Sequence, residues 1–569
     1  MARWEEIWKA QRAKSDATRG RGAAVAARLT CHHLDAMCRC RVECRPGLLP
    51  GEGVFMASVV PAYAEWSNLE RRIRALVPEA FDPTGRVLNL IAGEWGHPGK
   101  GKPYLSPVDG TVLGRLPMID ANTARVAASA AAAEARTWAH QDLDARKERV
   151  TQCLSLLREQ RELLALILAW EIGKPVPQAR VSVDRCISGV EWYVSQIEPM
   201  VEGRRPLGLI SNIASWNYPL SVLVHAVLVQ VLAGNSAIAK TPTDGGLYSL
   251  TLCMGLARRC GLPVSLISGS GGQLSDALVR NPEIACLSFV GGKANGRDIA
   301  ASLYDRNKRY MLEMEGVNAY GIWHFSDWDG LAKQLKKGFE YGKQRCTAYP
   351  RFVVERSLMP RFLETYLPVV SALKVGHPLL AESPDGEPPA LDFGPLINSQ
   401  KVEELHGHMS EAEGRGAVPL FAGRLDAERF LPDQDVSAYL APHALLHVPR
   451  NCKLYHGEPF GPVDTLVVVD SEEELIAEMN VSNGSLVASI ACDEPDTCKR
   501  VSTELRAFKV GHNGPRSRGD RDEVFGGIGG SWKGCFVGGK YLVQAVTEGE
   551  PGERLHGNFH DYTQLPDTR

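Results

Sequence analysis

Three side chains of types used in covalent catalysis stand in informative surroundings: Cys346, Glu313 and Asn217. Cys346 follows Arg345 in the loop-like stretch GKQRCTAYPR, where a neighbouring positive charge favours the thiolate, a strong nucleophile. Glu313 lies between two apolar residues, so burial in a strand would raise the pKa of its carboxyl toward the range of a general base. Structural roles are the alternatives, because Cys346 is one of 14 cysteines and Glu313 could form a salt bridge at a strand end.

Residues 207–243 (LGLISNIASWNYPLSVLVHAVLVQVLAGNSAIAKTPT) must position the third of these side chains. Residues 207–214 are mostly apolar and β-branched, which indicates a buried strand. Pro219 suits the first turn of a helix that Gly234 and Asn235 end, and residues 236–240 form a second strand. Asn217 therefore stands at the turn that opens the helix, where α/β proteins place ligands, although a helix-capping role would also explain it.

Strands and helices alternate over residues 207–289, the pattern of a parallel sheet, and a second α/β stretch covers residues 319–511. Upstream, residues 120–138 are Ala-rich and helical. The pattern over residues 142–172 predicts one long amphipathic helix that ends at Gly173.

The turn SWNYPL, followed by Gly234, Asn235 and Lys240, resembles the aldehyde dehydrogenase superfamily. Further landmarks follow in the family's order: FVGGKANG at 289–296, LEMEG at 312–316, GKQRCTAYPR at 342–351, FGPLI at 393–397, GEPFGPV at 457–463 and FGGIGGS at 525–531. The resemblance spans residues 85–547. It implies an α/β fold with a Rossmann-like cofactor lobe, an α/β catalytic lobe and a small β oligomerisation element.

The resemblance also implies NAD(P)-dependent oxidation of an aldehyde to a carboxylic acid, with three catalytic residues. Cys346 would form a thiohemiacetal and then a thioester, and Glu313 would activate the water that hydrolyses it. The Asn217 amide would hold the oxyanion beside the backbone N–H of Cys346. Retention of Glu313 favours hydrolysis, because relatives that pass the acyl group to coenzyme A usually lack this glutamate.

For the cofactor, NAD or NADP, the resemblance implies a set of binding residues and no metal site. They are Trp216, Lys240, Thr243, Gly291, Gly292, Gly296, Glu458 and Phe460. Lys240 would contact the adenosine ribose, and Glu458 with Phe460 would hold the nicotinamide ribose and back the ring. The three glycines would form the turn beneath the pyrophosphate, at a helix N-terminus.

Three positions depart from the family pattern. Glu315 replaces the first glycine of Glu-Leu-Gly-Gly, and would raise the pKa of Glu313 if both side chains pointed inward. Gly292 replaces the usual serine, so one phosphate hydrogen bond would be missing. Neutral Thr243 replaces a glutamate that repels a 2′-phosphate, which predicts activity with both NAD and NADP unless Asp244 restores the charge.

Composition excludes several other classes of protein. The chain has 569 residues, is 44% hydrophobic and 23% charged, and carries a formal net charge of -3. Two or more lobes are expected, with no basic surface for nucleic acid and no apolar stretch that spans a membrane. Scattered cysteines favour a reducing compartment, so we expect a cytoplasmic protein. The connection over residues 200–206 is too short for the family's oligomerisation hairpin, which favours a homodimer.

Residues 1–55 differ in composition from the rest, with many arginines and a cluster of four cysteines, Cys31, Cys38, Cys40 and Cys44. The spacing does not fit usual zinc sites, and the acidic residues argue against a transit peptide. We predict a disordered or non-native extension upstream of Met56. For the rest of the chain we predict an NAD(P)-binding domain over residues 56–312 and a catalytic domain over residues 313–528. Residues 529–569 would form a C-terminal arm with an oligomerisation strand.

Two alternatives stay open, and the departures prompt the second of them. One is a coenzyme A-acylating aldehyde dehydrogenase, which coenzyme A-dependent product would reveal. The other is a non-catalytic binding protein on a decayed dehydrogenase fold, which would give no aldehyde-dependent NAD(P)H. For the dehydrogenase itself, a small-molecule aldehyde substrate is the expected partner.

Overall fold

The structure, a computed structural model, describes residues 58–559 other than 305, 307, 483, 517 and 518. The predictions for residues 1–55 therefore lie outside the described residues. Within the described ranges, none of the helices combines the length and the apolar character that crossing a bilayer requires.

The strands of the described residues form two large sheets and two pairs. They are β1 (Asn89–Ile91), β2 (Glu94–Gly96), β3 (Lys102–Leu105), β4 (Val112–Leu116), β5 (Arg205–Pro206), β6 (Leu209–Ile213), β7 (Ser236–Lys240), β8 (Val264–Ile267), β9 (Ile284–Gly291), β10 (Arg309–Met314), β11 (Ala319–Ile322), β12 (Arg351–Glu355), β13 (Val418–Ala422), β14 (His443–Leu446), β15 (Val463–Val469), β16 (Ser485–Ala491), β17 (Ala507–His512), β18 (Trp532–Cys535), β19 (Thr547–Glu548) and β20 (Gly557–Asn558).

The first sheet has the order β2-β1-β8-β7-β6-β9-β10-β18-β20, with a parallel centre from β8 to β10. Its central strands are apolar and largely buried, as sheets covered by helices on both faces require. The chain runs from β6 outward to β8 and then returns to the other side of β6 as β9. Ligands bind at such a reversal, beyond the carboxyl ends of β6 and β9. The turn with Asn217 follows β6, and Gly291 and Gly292 lie at the carboxyl end of β9.

The second sheet has the order β13-β14-β15-β12-β11-β16-β17 and is parallel except for β13. The chain passes from β10 in the first sheet to β11 in the second through residues 315–318. Glu313 therefore lies at the end of one sheet, and the loop with Cys346 immediately precedes β12 of the other. The predicted α/β fold with two sheet-based lobes is confirmed.

The α-helices of the described residues cover the sheets. They are α1 (Trp66–Leu76), α2 (Ala121–Trp138), α3 (Leu143–Glu159), α4 (Arg161–Ile172), α5 (Val176–Gln196), α6 (Glu198–Val201), α7 (His225–Leu232), α8 (Leu247–Arg259), α9 (Gly271–Ser275), α10 (Lys293–Leu303), α11 (Trp328–Gly338), α12 (Met359–Ser371), α13 (Ser399–Gly414), α14 (Lys453–His456), α15 (Glu472–Met479), α16 (Pro495–Glu504) and α17 (Lys540–Ala545).

Two helix predictions need correction. The single helix over 142–172 is wrong, because the chain breaks at Gln160 into α3 and α4. The two helices lie in different environments, because α3 buries one stripe of side chains along its length whereas nearly all side chains of α4 are buried. Helix α4 ends at its C-cap Gly173, which has a left-handed backbone conformation. The helix after Pro219 begins as a wider π-type turn over Pro219–Val224 and becomes α-helical only from His225.

The short connection after α6 ends in β5, which pairs antiparallel with β19 in the C-terminal arm through Thr547 and Pro206. Strand β18 of the same arm joins the first sheet beside β10. The arm is thus built into the protomer. The homodimer stays a prediction.

Candidate active site

Cys346 lies in a loop whose backbone is held in an unusual conformation. Tyr341, Gly342 and Lys343 have φ values of 59°, 60° and 58°, a left-handed region that non-glycine residues seldom adopt. The Tyr341 hydroxyl donates to the Ile172 carbonyl over 3.1 Å. The buried Lys343 ammonium forms an ion pair with buried Asp464. These side-chain contacts stabilise the turn that presents Cys346.

Asn318 fixes the other side of this loop. Its amide Nδ2 donates to the Cys346 carbonyl over 2.8 Å and to the Ala348 carbonyl over 2.7 Å, and its Oδ1 accepts from the Val487 N–H at 3.3 Å. Sequence reasoning missed Asn318. The available signal was an amide side chain in the otherwise apolar run VNAY, directly after LEMEG.

Asn217 is hydrogen-bonded to the same loop and is only 4% exposed. Its Nδ2 donates to the Gln344 carbonyl over 2.9 Å, and its Oδ1 accepts from the Ser215 hydroxyl at 2.6 Å. The side chain caps no helix N–H among the described residues, so the capping alternative is not adopted. An amide nitrogen carries two hydrogens. Among the described residues only one of them has an acceptor, so the other N–H of Asn217 stays available for an oxygen atom near Cys346.

Lys174, which sequence reasoning also missed, lies behind Asn217. Its buried ammonium donates to the Asn217 carbonyl over 3.0 Å and sits 4.0 Å from the centre of the Tyr218 ring. Burial, together with the charges of Arg185 and Arg345, holds the pKa of Lys174 well below its ordinary value. The only local signal was its place in Gly-Lys-Pro, just after the end of α4.

Cys346 and Glu313 line one cavity of about 510 Å³. Glu313 is 3% exposed and lies on β10 between Val290 of β9 and Trp532 of β18. Of the ten cysteines in the described part of the chain, Cys346 is the one that lines this cavity. Cys286, by contrast, is fully buried, which raises the pKa of its thiol. The cavity thus contains a half-buried thiol and a carboxylate, and the amide of Asn217 is bonded to the same loop two residues before the thiol.

Glu315 lies elsewhere, contrary to the arrangement in which both carboxylates point inward. It does not line the cavity with Glu313, because the strand ends at Met314 and the alternation of faces ends with it. Its Oε1 instead accepts from the Lys293 N–H at 3.3 Å. Lys293 is the first residue of α10, so Glu315 places a carboxylate at that helix N-terminus.

The three glycines of FVGGKANG have different surroundings. A Cβ at Gly292, which precedes α10, would meet no atom within 4 Å. A Cβ at Gly291 would lie 2.7 Å from the Phe289 ring, and one at Gly296 would lie 2.3 Å from the Met314 sulfur. Gly292 therefore borders open space, whereas Gly291 and Gly296 are explained by close packing.

Glu458 is the most unusual group on this side of the molecule. Both of its carboxylate oxygens are buried and have no hydrogen-bond partner among the described residues. Burial raises the pKa of Glu458 well above its ordinary value, and the charge of Glu315 acts in the same direction. Nearby in sequence, Phe460 contacts Trp216 edge to face, with ring centres 5.9 Å apart. Trp216 and Phe460 are thus in contact, and Glu458, two residues before Phe460, has an unsatisfied carboxyl group.

Lys240 ends β7 and is buried, and its ammonium donates to the Thr241 carbonyl over 2.9 Å. Burial lowers the pKa of Lys240 to about 8, while the charge of Asp244 acts in the opposite direction. Thr243 and Asp244 are exposed. Asp244 is thus close enough to influence Lys240 electrostatically, although Thr243 occupies the position where the family carries its glutamate.

Comparison with known proteins gives a family and several relatives. The model of the aldehyde dehydrogenase family matches residues 96–550. A non-phosphorylating aspartate-semialdehyde dehydrogenase of Halomonas elongata is 28% identical over 446 residues, 75% of this chain and 87% of the relative. The NADP(+) succinate-semialdehyde dehydrogenase of Escherichia coli is 26% identical and covers 81% of this chain and 96% of its own. An indole-3-acetaldehyde dehydrogenase solved with NAD+ has a TM-score of 0.75 at 23% identity, over 85% of this chain and 98% of that one.

Proposed function

Because the chain belongs to the aldehyde dehydrogenase family, we propose that it oxidises an aldehyde to a carboxylic acid with NAD or NADP as the acceptor. The observation that carries the proposal is the shared cavity of Cys346 and Glu313, with Asn217 hydrogen-bonded to the Cys346 loop. A nucleophile, a base and an oxyanion donor are the groups that this reaction needs.

Cys346 acts first. Its thiolate forms a bond to the aldehyde carbon, and the π electron pair of the carbonyl moves to the oxygen. The remaining N–H of Asn217 and the backbone N–H of Cys346 donate to that oxygen and stabilise its charge. Two contacts keep Asn217 in place. The Lys174 ammonium donates to the backbone carbonyl of Asn217, and Nδ2 of Asn217 donates to the backbone carbonyl of Gln344.

Glu313 acts second. Its carboxylate accepts a proton from water, and the resulting hydroxide attacks the thioester carbon on Cys346. The carbon–sulfur bond breaks, the acid leaves, and the thiolate is restored. The position of Glu313 in the same cavity as Cys346 supports this role.

The residues of the cofactor side fit a dinucleotide. Glu458 has two buried oxygens without partners in the described part of the chain, and ribose hydroxyls would satisfy them. Gly292 borders open space at the N-terminus of α10, where a phosphate can approach. Lys240 would reach the adenosine ribose. When bound, the cofactor takes the hydride that leaves the carbonyl carbon. The names of two relatives, one using NADP(+) and one solved with NAD+, support either form.

The test is a panel of aliphatic, aromatic and carboxylated aldehydes with each cofactor, with and without coenzyme A. NAD(P)H is followed by absorbance and the product by mass spectrometry. We expect aldehyde-dependent NAD(P)H and free acid without coenzyme A. A product that requires coenzyme A would favour the acylating alternative, and the absence of NAD(P)H across the panel would favour a binding protein.

A further inference from the structure

Three arginines line the cavity of Cys346: Arg185, Arg345 and Arg521. Arg185 comes from α5, Arg345 precedes Cys346, and Arg521 comes from the segment between β17 and β18. Among the described residues, no carboxylate oxygen forms an ion pair with any of the three.

Arg185 and Arg521, the arginine pair, are both exposed, and both line the cavity beside α5. Arg521 donates to the Ser188 hydroxyl over 2.9 Å. Ser188 and Gly189 lie three and four residues after Arg185, so all three share one face of the helix, and all three line the cavity. Burial raises the pKa of Tyr218, which lines the same cavity, and the charges of Arg345 and Arg185 act in the opposite direction.

The acidic residues of the lining do not neutralise the arginine pair. Glu523 is held by Lys509 at 2.8 Å and by Arg516. Glu313 is the proposed base. Asp520 is the remaining carboxylate of the lining and is exposed. The cavity therefore presents guanidinium groups in excess of the carboxylates that could pair with them.

We propose that the substrate is an aldehyde that also carries a carboxylate, which the arginine pair binds while Cys346 attacks the aldehyde carbon. This inference rests on the proposed function and adds the class of substrate. A guanidinium presents two parallel N–H donors that match the two oxygens of a carboxylate. An uncharged aldehyde would leave these exposed donors to water and gain nothing from them.

The test uses the full-length enzyme with its cofactor and matched pairs of substrates. Each ω-oxo acid of four to six carbons is compared with its methyl ester, which has the same aldehyde and no charge. We expect kcat/KM for at least one acid to exceed that for its ester by roughly ten- to hundred-fold, as charge-assisted hydrogen bonds imply. Arg185→Gln and Arg521→Gln should each lower kcat/KM for that acid about tenfold more than for its ester, chiefly through KM.

Arg180→Gln is the matched control, because Arg180 lies on the same helix, pairs with Glu162 at 2.8 Å and does not line the cavity. It should leave the preference for the acid unchanged. If the wild-type enzyme uses every ester as well as its acid, or if Arg185→Gln and Arg521→Gln lower both equally, the inference is overturned while the proposed function stands. If no aldehyde yields NAD(P)H, the proposed function itself fails.

Discussion

The nucleophile side and the cofactor side of the molecule differ in how their polar groups are satisfied. Around Cys346, Asn318 and Asn217 hold the loop through bonds of 2.7–2.9 Å. On the cofactor side, by contrast, Glu458 has no partner among the described residues and Gly292 faces open space. The reacting groups are therefore held in place by the protein itself, whereas the other side has polar groups that a ligand would satisfy.

The same contrast appears in the departures from the family pattern. Cys346, Glu313 and Asn217 stand where the pattern requires them, whereas Gly292, Thr243 and Glu315 all depart from it on the cofactor side. We infer that the chemistry tolerates little change, while cofactor affinity and selectivity can vary. Substitutions on the nucleophile side should therefore abolish turnover, whereas those on the cofactor side should change the affinity or selectivity for the cofactor.

Replacement of the nucleophile should have the largest effect. Cys346→Ala should lower kcat by about a thousandfold or more, because no other thiol lines the cavity among the described residues, and should leave cofactor affinity near normal. Turnover is measured by absorbance and affinity by titration. Cys260→Ala, at a half-buried cysteine away from the cavity, is the control. Wild-type turnover in Cys346→Ala would require Cys286 or Cys452 to be considered instead.

Glu313→Gln should separate the two halves of the reaction. The thioester should still form, giving a burst of NAD(P)H near one per active site, but hydrolysis should slow by roughly a hundredfold without a base. Stopped-flow absorbance resolves the two phases. Glu315→Gln at saturating cofactor should show no such separation, because Glu315 lies outside the cavity. Equal loss of burst and steady state in Glu313→Gln would point to a structural role.

Glu315→Gln should strengthen cofactor binding by about fivefold. Its carboxylate accepts from the first N–H of α10, where a phosphate would compete for the same donor, and a nearby charge at a helix terminus contributes about 1 kcal/mol. Quenching of tryptophan fluorescence on titration with NAD, at low and high salt, measures the change. Unchanged or weaker binding would show that Glu315 and the pyrophosphate occupy separate places.

Thr243→Glu should shift selectivity toward NAD by about threefold, through weaker binding of NADP. The effect should be modest because the position is exposed and salt screens its charge. The ratio of kcat/KM for the two cofactors is the measurement, with Thr243→Gln as the uncharged control. A wild-type enzyme that already rejects NADP by orders of magnitude would contradict this and implicate Asp244.

A pH titration should give the smallest effect. The pKa of Lys240 is about 8, so its ammonium is charged at pH 7 and largely neutral at pH 9. Affinity for NADP should fall about twofold more than affinity for NAD as the pH rises, because the 2′-phosphate loses a cation. Asp244→Asn should move this transition to lower pH, since Asp244 raises the pKa of Lys240. Parallel pH profiles for the two cofactors would exclude Lys240 from this role.

Local patterns predicted much of the fold, and contacts distant in sequence account for what they missed. The strand over 236–240 is as predicted, because its burial and boundaries follow from its own residues and the preceding glycine. The break at Gln160 was missed, because it depends on which faces of α3 and α4 are covered. The arginine pair joins residues from α5 and from the segment after β17, and no local spacing could indicate that.

The candidate site shows the same division. Family landmarks placed Cys346, Glu313 and Asn217, but Asn318 and Lys174 act through backbone carbonyls of other segments. A carbonyl acceptor has no side-chain signature, so such partners are invisible in a sequence. The position of Glu315 was also uncertain, because strand alternation stops where the chain leaves β10.

The pairing of β10 with β18 has a consequence for biosynthesis. Trp532 lies opposite Glu313 in this antiparallel pair, although more than half of the described chain precedes Glu313 and most of the rest separates the two residues. A nascent chain on the ribosome therefore exposes one edge of β10, with its unpaired N–H and C=O groups, until residues 532–535 emerge. The proposed base cannot reach its final environment before translation has nearly finished. Incomplete chains should thus be both inactive and dependent on chaperones that shield strand edges.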